Sequence, residues 1–121
     1  MSHPPPRVSR AIEQEMASLL AIYHAELPAK LGALRDALHA ARTSPANLSL
    51  LDLARDQAHT LRGSAGCHGA PIVGRHAGRI EDLLVAMAVA EQASDPSGVW
   101  AEVDWALEQA LAAAPGYLRV V

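Results

Sequence analysis

The residues whose types and spacing could do chemistry lie in one stretch, Ala58-His59-Thr60-Leu61-Arg62-Gly63-Ser64-Ala65-Gly66-Cys67-His68-Gly69-Ala70. A helix through it puts positions i, i+3 and i+4 on one face. That face carries the His59 imidazole, the Arg62 guanidinium and, at Gly63, a gap where a side chain would stand. An imidazole acts as a nucleophile when one nitrogen is unprotonated and the other is held by a hydrogen bond. Arg55 (i−4) and Arg62 (i+3) fall on the side of His59, where their charge disfavours imidazolium and could hold a phosphoryl group through charge-assisted bonds. Either Glu81 or Asp56 could accept the Nδ1 proton. Glu81, on another helix, is the better choice, because Asp56 is short and free to point to solvent.

Helices are the elements that must position these groups. Apolar residues recur at helical spacing as Ile12, Met16, Leu19, Leu20, Tyr23, Leu27, Leu31, Leu34, Leu38 and Ala41, a stripe that predicts a long amphipathic helix facing the core. Ser9 is its expected N-cap, and Pro28 predicts a kink or a division into two helices. A loop at Thr43-Ser44-Pro45-Ala46-Asn47 follows, then a capping-box pattern at Ser49-Leu50-Leu51-Asp52. The second helix is expected from about Leu50 to Gly66 or Cys67, with Leu51, Ala54, Ala58, Leu61 and Ala65 inward. Its outward stripe is Asp52, Arg55, His59, Arg62 and Gly66.

A third helix after Gly69-Ala70-Pro71 carries Val73, Ala77, Ile80, Leu84 and Met87, with Leu83 and Ala90 beside them. A fourth, after Ser94-Asp95-Pro96-Ser97-Gly98, carries Val99, Val103, Leu107, Ala110 and Ala114 and stops near Pro115-Gly116, with Asp95 as cap and Pro96 at its first position. No segment alternates as a strand would. The predicted fold is all-α, an up-down antiparallel four-helix bundle with an N-terminal helical extension.

Composition agrees. The chain has 121 residues, half of them hydrophobic, with 3% aromatic and no Phe, so Ala and Leu supply the apolar mass, which favours helix over sheet. The length fits one domain, expected over residues 8–121 behind a disordered Pro-rich lead-in at 1–7. A net charge of −3 with ten scattered cations excludes a general nucleic-acid footprint. The single cysteine, Cys67, excludes an internal disulfide and fits a reducing compartment. The longest apolar run, Leu83 to Ala90, is too short for a membrane span, and the first residues lack the apolar core of a signal peptide. A cytoplasmic, monomeric protein is expected.

Glycine sharpens the site. Gly63, Gly66, Gly69, Gly74 and Gly78 crowd a short region. Gly69 belongs to a turn, but each of the others costs about 1 kcal/mol inside a helix relative to Ala. Antiparallel helices either side of Gly69 bring His59 opposite Gly78 and Glu81. The expectation is that Gly63, Gly66, Gly74 and Gly78 keep the imidazole on an open surface that a large partner can approach.

His59-Thr60-Leu61-Arg62-Gly63-Ser64-Ala65-Gly66, with Gly69-Ala70 after them, resembles the histidine-containing phosphotransfer (HPt) domain. Glu26-Leu27-Pro28 through Leu31, Leu34 and Leu38 is similar to that family's proline-containing second helix, and Ala77 through Ile80-Glu81 to the helix beside its active histidine. The resemblance covers nearly the whole chain and implies a phosphocarrier without kinase activity. His59 Nε2 would accept a phosphoryl group from the aspartyl phosphate of a receiver domain, of a response regulator or a hybrid histidine kinase, and pass it to another. Arg62 would stand for the usual lysine beside the phosphoryl group, and Gly63 would leave room for the receiver loop. The protein would need no cofactor of its own, with Mg²⁺ in the receiver. His68 departs from the family, standing where Leu or Phe is usual.

The bland reading of His59 is a solvated surface histidine, and the function of a different class is a non-phosphorylated scaffold bundle that binds a partner through the same groove. His24, His39, His68 and His76 read as structural or surface residues, and Trp100 and Trp105 as packing. Zinc at His59, Cys67, His68 and His76 is disfavoured, because His59 and His68 would point to opposite sides of one helix.

Overall fold

The computed structural model describes residues 7–67, 69–90 and 96–114. They form four helices in sequence, α1 (Arg7–Thr43), α2 (Leu48–Cys67), α3 (Pro71–Ala90) and α4 (Pro96–Ala113). Among the described residues there is no strand. Packing is most extensive between α2 and α3, then between α3 and α4 and between α1 and α2, with α1 only lightly touching α4. The predicted all-α bundle is therefore the fold.

The turns show how the chain reverses. Asn47 is the cap of α2, its Oδ1 accepting the Ser49 N–H at 3.1 Å. The expected Ser49 capping box is thus displaced two residues into the helix, because Asn47, two residues earlier, meets the same backbone demand. Between α2 and α3, Gly69 has φ 84°, and the Ala70 N–H donates to the Ala65 carbonyl at 2.9 Å. This is a Schellman turn, in which a left-handed residue closes the helix end, so glycine is needed there. Pro71 then opens α3, where a missing N–H costs nothing.

The core is leucine on α1 and alanine on α2. Leu27, Leu31 and Leu34 are fully buried, as are Ala54, Ala58 and Ala65 on α2, Val73, Ala77 and Ile80 on α3, and Ala106 and Ala110 on α4. Each large aliphatic side chain contributes about 1.5–3 kcal/mol by leaving water. The small residues of α2 contribute less by area, but they bring its backbone close to α3. That closeness positions the site.

The first helix departs from expectation in three ways. It begins at Arg7 and runs through Ser9, so Ser9 is not its cap and Arg7 is not part of the lead-in. It runs through Pro28 as a single helix, so of the two outcomes expected there the division into two helices does not occur. Most of its early stripe is not core: Ile12, Met16 and Leu19 are exposed, with Ile22 beside them, and burial begins at Tyr23. The reason is length. α1 has 37 residues and α2 has 20, about 55 Å against about 30 Å at 1.5 Å per residue. Tyr23 meets Ser64 near the end of α2, at an oxygen–oxygen distance of 2.9 Å. Ser64 Oγ gives its own proton to the Thr60 carbonyl, so the phenol donates. Beyond this point α1 projects past its partners, forming the N-terminal extension.

Trp100 packs in the core, while Trp105 is more than half exposed, against the expectation that both are packing residues. Trp105 stands edge-on to His76 with centroids 5.5 Å apart. Burial, and then the neighbouring Arg75 charge, holds the His76 pKa below its ordinary 6.5. The folded state therefore binds this proton less readily than the unfolded chain. Stability from His76 is complete above about pH 6.5 and is lost as pH falls from there through the lower folded value. Thermal melts should show a small drop in Tm between pH 7.5 and pH 5, reduced in His76→Gln. An unchanged pH dependence in that variant would place the effect elsewhere.

Expectations for residues 1–6, His68, Asp95 and Pro115-Gly116 lie outside the described residues, as do those for the side chains of His24, Cys67 and Ala90.

Candidate phosphotransfer site

His59 stands on the outward face of α2 with 71% of its side chain exposed. Ala58 and Leu61, its neighbours on the inward face, are buried, so packing fixes the helix rotation and thereby aims the imidazole outward. Glu81 on α3 meets it: Nδ1 lies 2.7 Å from Oε2. An ionised carboxylate can only accept, so Nδ1 carries the proton. In the neutral ring this leaves the Nε2 lone pair free, and among the described residues Nε2 has no hydrogen-bond partner. Asp56, the other acceptor considered, is instead within 3.8 Å of Arg55.

Glu81 is the pivot of the groove. Its side chain is only 15% exposed, so both oxygens need donors. Oε2 takes the His59 proton and Oε1 accepts from Arg62 Nη1 at 3.1 Å. The same Nη1 donates to Asp82 Oδ1, also at 3.1 Å. These bonds, to Glu81 first and Asp82 second, raise the Arg62 pKa above its ordinary value. The His59–Glu81 pair is the one the spacing suggested, and Glu81 also joins Arg62 to it, a bond the spacing did not suggest. Arg55 is not joined to them. Its guanidinium faces Asp52 at 3.6 Å and Asp56 at 3.8 Å on its own helix, because acidic partners at i−3 and i+1 are nearer than anything across the groove.

The glycines divide into two pairs with different work. At Gly63 and Gly66 an added methyl group would meet nothing within 4 Å, so both leave the outward face of α2 open, as expected. Gly74 and Gly78 are buried and do not form an open wall. A methyl group at Gly74 would stand 3.0 Å from the Gly66 nitrogen and 3.3 Å from the Arg62 carbonyl oxygen. One at Gly78 would stand 2.9 Å from Arg62 Nε and 3.2 Å from its Cδ. Gly74 sets how closely α3 lies on α2, and Gly78 is the bed on which the Arg62 stem lies.

Asp82 and the seating of Arg62 on Gly78 went unread in the sequence. Register alone could have found them: His59 opposite Glu81 puts Arg62 opposite Gly78, and an arginine lying there reaches the carboxylates one turn further along α3. A shallow hollow lined by His59, Arg62, Glu81, Asp82, Val85 and Ala86 lies at this place. Among the described residues no group of three or more His, Cys, Asp or Glu is arranged to hold a metal ion, and no helix is long and apolar enough to cross a membrane.

Comparison with protein families gives a match to the Hpt domain over residues 18–116. No curated protein and no solved structure matches the chain. Hpt domains are phosphocarriers without kinase activity that serve phosphorelays, interacting with receiver domains and kinases. With helical architecture, an outward histidine on α2 and a match that takes in most of its length, the chain belongs to the Hpt domain family.

Proposed function

We propose that this protein carries a phosphoryl group on His59 Nε2 between the aspartates of two receiver domains, one of which can belong to a hybrid kinase. The observation that supports this reading best is the 2.7 Å bond between His59 Nδ1 and Glu81 on an otherwise exposed imidazole. It orients the ring, fixes the tautomer and leaves Nε2 as the nucleophile.

In the forward step the Nε2 lone pair attacks phosphorus of the receiver's aspartyl phosphate. The N–P bond forms as the P–O bond to the aspartyl group breaks, and the aspartate leaves as a carboxylate with the electron pair. The Nδ1 proton stays in its bond to Glu81, whose charge stabilises the positive charge that develops on the ring. Onward transfer reverses these steps at a second receiver. Arg62 supplies a cation for the phosphoryl oxygens, and Gly63 and Gly66 admit the receiver's loops to the face of α2. Mg²⁺ belongs to the receiver in this reading. The site needs no second copy of the chain, since His59, Arg62 and Glu81 all come from one chain.

The test is transfer from a receiver bearing labelled phosphate. Label on this protein should be acid-labile and alkali-stable, as an N–P bond is, and a second receiver should remove it. Alkali-labile label, or none, would exclude the reading and leave an interaction bundle.

A further inference from the structure

Arg62 is tied down in the unphosphorylated protein. Both protons of its Nη1 are committed to carboxylates of α3, one to Glu81 and one to Asp82. Its stem lies flat across α3 because Gly78 has no side chain. The two carboxylates differ in what they can give up. Glu81 is largely buried and also holds His59, so it cannot release Arg62 without leaving a buried oxygen short of a donor. Asp82 is 58% exposed, Arg62 is its one partner among the described residues, and water can replace that partner.

We infer that Asp82 is a positioning residue that competes with a phosphoryl group on His59 for the Arg62 guanidinium. It thereby keeps the phosphohistidine weak enough to be handed on. The inference rests on the phosphocarrier reading of His59. Turning the guanidinium toward phosphoryl oxygens on His59 draws Nη1 away from Asp82, so in this reading Arg62 stabilises the phosphorylated state by the difference between the bonds it gains and the one it loosens. Removing Asp82 removes that competitor, so the phosphohistidine gains and onward transfer loses. A residue that only braced α3 would have no such effect, and one that helped Arg62 reach the phosphoryl group would have the opposite one.

The test is the equilibrium between phosphohistidine and receiver phosphoaspartate, measured on the full chain with a labelled receiver, stopped with SDS near neutral pH, where both bonds survive, and read after the two proteins are separated on a gel. Asp82→Asn should raise the phosphohistidine to phosphoaspartate ratio roughly two- to five-fold, the range of a half-exposed ion pair. Asp82→Glu should restore the parental ratio. In an Arg62→Ala background the Asp82→Asn change should shrink below about two-fold, because the interaction it removes is already gone. An unchanged or lower ratio in Asp82→Asn, or an equal rise with and without Arg62, would overturn the role of Asp82 while parent and variant still take label on His59. A parent that takes no label overturns the carrier reading and this inference with it.

Discussion

His59→Gln is expected to abolish phosphoryl uptake from a receiver while leaving the helical content and melting temperature of the bundle unchanged. The side chain is 71% exposed, so its replacement creates no cavity and falls in the class of surface changes within about 0.5 kcal/mol. Glutamine keeps an N–H that can donate to Glu81, so this largely covered carboxylate and Arg62 remain satisfied. It lacks a nucleophilic nitrogen, because the amide lone pair is delocalised into the carbonyl. Uptake should therefore fall at least about a hundredfold, to the level of background hydrolysis, as for loss of a covalent nucleophile. Label equal to that of the parent would place the phosphoryl group on another residue, with His39 and His76 the first to be tested. The carrier reading of the α2–α3 groove would then fail.

Much of this site could be read from residue order because helix geometry is local. The spacing of His59, Arg62 and Gly63 settles that they share a face once a helix is assumed, and the turn at Gly69 settles which residues of α3 lie across from them. Those two facts give the His59–Glu81 pairing. Periodicity fails where the answer depends on another element's length or on competition between partners. Ile12, Met16 and Leu19 continue the pattern of Leu27 and Leu31, yet no partner helix among the described residues covers them, and a stripe carries no information about where its cover ends. Arg55 and Arg62 both lie on the outward stripe, but one finds carboxylates along its own helix and the other across the groove. The glycines show the same limit. Their clustering reveals that smallness matters, while only coordinates separate space left for a partner, at Gly63, from space already filled by α2, at Gly74.

That separation leads to the second large effect. Gly74→Ala should lower stability and slow transfer together, whereas Gly63→Ala should raise stability. Both positions are inside helices, where alanine is favoured over glycine by about 1 kcal/mol. At Gly63 the new methyl group meets nothing within 4 Å, so the gain is kept. At Gly74 it would stand 3.0 Å from the Gly66 nitrogen, 3.3 Å from the Arg62 carbonyl and 3.4 Å from the Gly66 Cα. These are backbone atoms held in the helix, not the end of a side chain that can swing aside, so α2 and α3 must part. Overpacking of this kind costs about 1–3 kcal/mol, and a net loss of about 1 kcal/mol lowers Tm by about 5 °C in a domain of this size. Gly74→Leu should cost more. The same parting of the helices draws Glu81 from His59, whose 2.7 Å bond has little reach to spare, so transfer should slow even where the variant remains folded. Thermal melts and transfer rates on Gly63→Ala and Gly74→Ala read both effects. If Gly74→Ala is as stable as Gly63→Ala and transfers as fast as the parent, close packing at Gly66–Gly74 does not set the geometry of the site.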